Sequence, residues 1–264
     1  MKNTFVLILL FTSINLFSQN GNFIEMVFVE GGMFTMGCTN EQDSDCSADE
    51  KPTHQVTLNN FYIGKYEITQ KQWKTIMKKM PKHLKIKGDN LPVTCVSWDQ
   101  AVEFCNKLSK KEGRELYYNI KGKNITINSN ANGYRLPTEE EWEYACRGGK
   151  YSANYKYSGS NNIDDVAWYA SNSDRKPHEV GTKQPNELGI YDMSGNENEW
   201  CYNWISNYSI EKQENPQESE NGKFKVLRGG SYWTYAYNCR VFCRYSIVPI
   251  NTYWVSLRVV IKNF

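Results

Sequence analysis

Apolar residues recur at spacings of three and four in three places along the chain. Each time a hydroxyl residue, followed three positions later by Gln or Glu, stands just before them. Thr69 with Gln72 precedes Trp73, Ile76, Met77 and Met80; Ser97 with Gln100 precedes Ala101, Phe104, Cys105 and Leu108; Thr138 with Glu141 precedes Trp142, Ala145 and Cys146. In such a box the hydroxyl accepts from the third backbone amide and the Gln or Glu reaches back to the cap's own amide, so two orphan donors are satisfied. The pattern predicts three short helices, each with one face on a core. Gly113 and Gly148-Gly149 supply stops for the second and third.

β-branched and aromatic residues dominate at 25–30, 33–37, 55–58, 61–66, 225–227 and 255–262, which predicts strands there. Gly31-Gly32, between the first two, predicts a hairpin turn. From Gly148 to Asn221 almost no periodicity survives, and the segment is rich in Asn, Ser, Gly and Tyr. A stretch of that length needs bound ions, aromatic packing or disulfides to hold it. No repeat or linker divides the chain, so the reading is one α+β domain with irregular coverage.

The remaining composition narrows the class. Residues 1–18 start with Lys2, run through the apolar Phe5–Phe11 and end at Leu16-Phe17-Ser18, a signal-peptide pattern too short to span a bilayer. No cysteine follows it to carry a lipid. The expectation is an exported protein, periplasmic, at the cell surface or extracellular, with residues 19–264 as its domain. With 31 basic and 29 acidic residues the net charge is +2, and the overall balance suggests neither nucleic acid nor an anionic membrane as partner. Rings make up 14% of the residues, enough to bury surface in a fold without long helices. In an exported chain some of the eight cysteines are expected as disulfides, and Cys38 and Cys46 bracket a polar loop they are placed to staple. Their spacing fits no zinc motif, and only His54, His83 and His178 add imidazoles.

Ordered motifs then converge on one family. They are Gly32-Met33-Phe34-Thr35-Met36-Gly37, Asp49 to Val56, Tyr66-Glu67-Ile68-Thr69, Leu91-Pro92-Val93 with Ser97-Trp98, and Tyr134-Arg135-Leu136-Pro137-Thr138-Glu139-Glu140-Glu141-Trp142-Glu143. Asn186, Leu188-Gly189, Tyr191-Asp192-Met193, Gly195-Asn196, Glu199-Trp200, Arg228-Gly229-Gly230-Ser231 and Leu257-Arg258-Val259 continue the order. Over about residues 24 to 262 the chain resembles the formylglycine-generating enzyme, or sulfatase-modifying factor, family. The resemblance implies the C-type-lectin-like variant fold of that family.

It also implies a site. Family enzymes oxidise a cysteine of a sulfatase peptide with O2 and a copper ion held by two thiolates. The second thiolate position matches Cys239, the first is Thr234, and the serine beside the reacting centre matches Ser231. A family tryptophan is replaced by Asn198. One thiolate cannot form a two-sulfur Cu(I) site, so copper is not expected. The resemblance further implies a Cys146–Cys243 disulfide, and a structural calcium on the turn 192–199 with Asn196 and Glu199 as side-chain ligands. A second family calcium position falls near Asn172. Cys95, Cys105 and Cys201 then read as buried thiols, and His54 and His178 as scaffold histidines.

Three functions follow. The first is a binding module for a protein or peptide ligand, on a surface carrying Trp233, Thr234, Tyr235, Tyr237, Phe242 and Tyr245, with Ile247, Tyr253 and Trp254 alongside; rigid rings give contact area at low entropic cost. In a sharper form, this segment belongs to a retroelement-diversified lectin-like protein. The second is a formylglycine-generating oxidase using Cys239. The third, a sugar-binding lectin, lacks the Glu-Pro-Asn or Gln-Pro-Asp triplet of many calcium lectins.

Overall fold

The computed structural model describes residues 23–39, 46–122, 124–216, 222–250 and 253–263; the expected signal segment 1–18 lies outside them. The strands are β1 (Met26–Val29), β2 (Gly32–Met36), β3 (His54–Leu58), β4 (Phe61–Gly64), β5 (Tyr118–Lys121), β6 (Asn124–Ile127), β7 (Asn198–Trp204), β8 (Gln213–Glu214), β9 (Lys225–Arg228), β10 (Tyr245–Ile247), β11 (Val255–Ser256) and β12 (Val260–Lys262). The helices are α1 (Gln70–Met77), α2 (Trp98–Lys111), α3 (Glu139–Cys146) and the single turn α4 (Ile163–Val166).

All three expected helices form behind the expected caps. Thr69, Ser97 and Thr138 each accept from the third amide, and Gln72, Gln100 and Glu141 each return the bond. α1 stops at Met77 because Lys78 turns left-handed, and Met80 beyond it still packs on the core. Amphipathic spacing puts Trp73 of α1 against Phe104 of α2, with stacked rings 5.3 Å apart. These two rings sit in one apolar cluster with Trp200, Leu227 and Leu257; a second cluster gathers Trp142 and Cys146 of α3 with Met193, Phe242 and Val260.

The strands form sheets ordered β1-β4-β12, β10-β9-β7-β11, β2-β3-β8 and β5-β6. Two expectations are corrected. Gly31-Gly32 does not close a hairpin, since β1 pairs with β4 and β2 with β3. The constraint at Gly31 is close approach, for a methyl there would lie 2.2 Å from the Leu58 carbonyl oxygen. The run 255–262 is also not one strand: Val255 and Ser256 pair with β7, and the chain then crosses to put Val260 on β4. Arg258, at the crossing, is wholly buried.

Buried ion pairs flank the second cluster. Arg244 holds Glu139 at 2.6 and 2.7 Å, Arg147 holds Glu143 at 2.7 Å, Arg240 holds Glu50 at 2.9 Å, and Arg228 also contacts Glu143. Buried charges persist only when paired in this way. Among the described residues no helix is long and apolar enough to cross a membrane.

Candidate functional site

Ser231, Thr234 and Cys239, the positions the resemblance points to, lie together in a turn opened by Gly229 and Gly230 at φ of +97° and +74°. A methyl added at Gly230 would sit 2.8 Å from Cys239 Sγ and 3.0 Å from Thr234 Oγ1. Thr234 Oγ1 accepts from the Ser231 amide at 2.8 Å and donates to the Ser231 carbonyl at 3.0 Å, so this hydroxyl closes the turn. Ser231 Oγ accepts from the Trp233 amide at 3.3 Å. Cys239 Sγ lies 3.7 Å from Thr234 Oγ1 and 3.8 Å from the Tyr235 carbonyl oxygen, and no second sulfur is bonded to it among the described residues. Its side chain is wholly buried among Tyr157, Ile163, Val166 and Ala167. Burial pushes the thiol up to about 12. One thiol beside a hydroxyl does not supply the two thiolates on which such a copper site is built.

The Cys38–Cys46 disulfide is present. The Cys146–Cys243 bridge is not, and both are free thiols. Cys146 points its sulfur at the Met193 carbonyl within the second apolar cluster, while Cys243 lies by the buried ion pairs, where Arg228 binds its carbonyl oxygen at 2.9 Å. Cys105 and Cys201 are buried as expected, whereas Cys95 is only half-buried.

Asn196 and Glu199 are committed to protein partners. Asn196 takes the left-handed conformation, its Oδ1 accepts from the His178 amide at 3.0 Å, and its Nδ2 donates to Glu67 at 2.7 Å. Glu199 accepts from Trp142 Nε1 at 2.8 Å and pairs with Arg258 at 2.7 Å. That set suits an ion-paired turn, because the charge facing the Glu199 carboxylate is a guanidinium. Asn172 likewise closes its own loop, accepting from the Tyr169 amide at 2.9 Å. His178 stacks on Trp168 with ring centroids 3.7 Å apart, and His54 packs on Tyr208 at 4.7 Å, both as scaffold.

Glu67, Asp192 and Glu197 crowd the same turn. Burial pushes Asp192 up to about 6 and Glu197 up to about 8, and it drives Glu67 upward with the Asp192 and Glu199 charges adding to it. Neither Glu197 carboxyl oxygen has a hydrogen-bond partner among the described residues.

The exposed rings separate from the buried ones. Phe242 is no part of the surface: it is wholly buried, and Arg240 lies between its ring (4.5 Å) and that of Tyr237 (3.6 Å). Tyr245 is half-buried in β10 against the first cluster. Trp233, Tyr253 and Trp254 remain 41%, 54% and 51% exposed, and with Tyr232 they wall a cavity of about 660 Å3. The Trp233 and Trp254 centroids are 6.4 Å apart, and Tyr253 lies 6.0 Å from Trp254. Tyr235 and Tyr237 are exposed beyond its wall.

Backbone strain singles out the same cavity. Nine non-glycine residues among those described have left-handed φ, and five of them are Asn or Asp, which tolerate it. The other four are Lys78, Cys95, Arg175 and Trp254, and the last three all line this cavity. Such conformations cost of order 1–3 kcal/mol each and gather at binding and catalytic sites. Sequence reasoning found the rings but missed Cys95 and Arg175, because no composition signal marks a strained residue.

Comparison with known proteins places this geometry. A chaperone protein LppX of Paenibacillus barcinonensis is 40% identical over 263 residues, covering 86% of each chain. The formylglycine-generating enzyme of Mus musculus is 25% identical, covering 81% of this chain and 69% of that one. Treponema denticola variable protein 1 superposes with a TM-score of 0.81 at 31% identity, over 90% of this chain and 95% of that one. The description of the matching family, the sulfatase-modifying factor enzyme 1-like domain, fits residues 13–262. Fold, ordered motifs and this match agree that the chain belongs to the sulfatase-modifying factor family, with its C-type-lectin-like α+β fold.

Proposed function

We propose that this protein is an exported binding module that takes a protein or peptide ligand in the groove between Trp233 and Trp254 and has no copper oxidase activity. The observation that carries the reading is that the buried Cys239 thiol faces the Thr234 hydroxyl and not a second sulfur, set against strained and exposed residues in the groove. A nucleophile or soft-metal ligand must be a thiolate with access to its partner. Recognition needs rigid rings in a concave site. The Cys38–Cys46 disulfide supports an oxidising compartment. Relatives bearing the names chaperone and variable protein support a role in binding.

Competition for Cu(I) against a chelator tests this at the metal. Wild type and Cys239→Ala are expected to hold the same amount of ion. A site lost with Cys239 overturns the reading. The likeness to the Treponema protein favours a second form of it, in which the segment holding Trp233 to Tyr245 is diversified by a retroelement. A template repeat and a reverse transcriptase gene must then lie in the neighbouring DNA, and their absence ends that form.

A further inference from the structure

The groove is lined by cations as well as rings. Lys82, Lys85 and Arg175 line the cavity, and no carboxylate does. Lys82 and Lys85 belong to a longer rank. Between residues 70 and 88 the chain carries Lys71, Lys74, Lys78, Lys79, Lys82, Lys85 and Lys87 with no Asp or Glu. All seven are exposed, and none is in an ion pair among the described residues. In a chain whose net charge is only +2, this run concentrates unpaired positive charge, and two of its lysines reach the ring-walled cavity. Arg175 is held there by its own backbone: its φ is +54°, and its guanidinium lies 5.3 Å over the Trp233 ring.

Building on the groove reading, we infer that the ligand is an acidic peptide segment. An aromatic or aliphatic side chain enters between Trp233 and Trp254, and flanking carboxylates meet Lys82, Lys85 and Arg175. Opposed potentials steer encounter and choose among partners, while the rings supply contact area. Rings beside lysines also suit single-stranded nucleic acid. The near-neutral overall charge and a disulfide that argues for a compartment outside the cytosol favour peptide.

Three pools of peptides test the inference, each with a central aromatic residue flanked by Asp/Glu, by Lys/Arg or by Ser/Asn. Binding to the full chain is followed by tryptophan fluorescence, with oligodeoxythymidylate as a fourth probe. The acidic pool is expected to bind at least about tenfold more tightly than the others. That advantage should shrink as ionic strength rises from about 0.01 M to about 0.15 M, where the Debye length falls from about 30 Å to about 8 Å. Lys82→Glu/Lys85→Glu, an exposed pair whose folding circular dichroism checks, should abolish it; Trp254→Ala should weaken all pools. Equal or tighter binding of the basic pool, the neutral pool or the oligonucleotide overturns the acidic inference and leaves the groove reading standing. Binding that ignores Trp254→Ala, or no binding by any probe, overturns both.

Discussion

Glu197 shows how one residue can set a pH response. Its side chain is wholly buried, and among the described residues neither oxygen has a hydrogen-bond partner, so burial favours the neutral form and pushes the carboxyl up to about 8, against an ordinary value of 4.5. Below pH 4.5 both folded and unfolded chains hold the carboxyl proton. As pH rises, the unfolded chain releases it first, so stability falls between about 4.5 and 8. Glu197→Gln is expected to flatten this part of the profile. Its gain in Tm over wild type should be larger at pH 8 than at pH 4.5, and a gain that does not change with pH contradicts the assignment. Arg258 lies at the other extreme, since its guanidinium answers Glu199 with no exposure on either side. Arg258→Ala should cost about 3–5 kcal/mol in urea unfolding, because it strands a buried carboxylate.

At the scale of elements, the three helices were legible because capping is local: four residues carry the whole signal. Thr138→Ala should cost about 1 kcal/mol. Glu141→Ala should cost more, about 3–5 kcal/mol, because Arg135 then loses a carboxylate it holds at 2.6 Å through two nitrogens. Equal losses in the two variants would show that Glu141 serves only the cap. Strand partners were less legible. Gly31-Gly32 looked like a turn because its true neighbour, Leu58, is distant in sequence. β7 escaped notice because Glu199 to Asn203 are buried on both faces, so no alternation remains. The β5–β6 hairpin did leave a signal, with Gly122 at φ +62° between Ile120 and Ile125, that propensity alone did not resolve. The crossing at Leu257 to Val259 is set by the Glu199–Arg258 pair, a contact that apolar patterning cannot show.

For the whole molecule, net charge concealed what mattered, since seven lysines on one segment vanish into a near-neutral sum. The ring-rich carboxyl-terminal segment was visible in sequence, but which rings face outward depends on the buried ion pairs that draw Phe242 in beneath Arg240. Cys38→Ser should lower stability by about 2.5 kcal/mol, the chain-entropy value for so short a loop, and leave groove binding unchanged. The most direct test of the central claim is the mass of a Cys-x-Pro-x-Arg peptide after incubation with copper-loaded protein and O2. A buried thiol with no sulfur partner predicts an unchanged mass. Conversion of the peptide cysteine to an aldehyde, lost in Cys239→Ala, would contradict it.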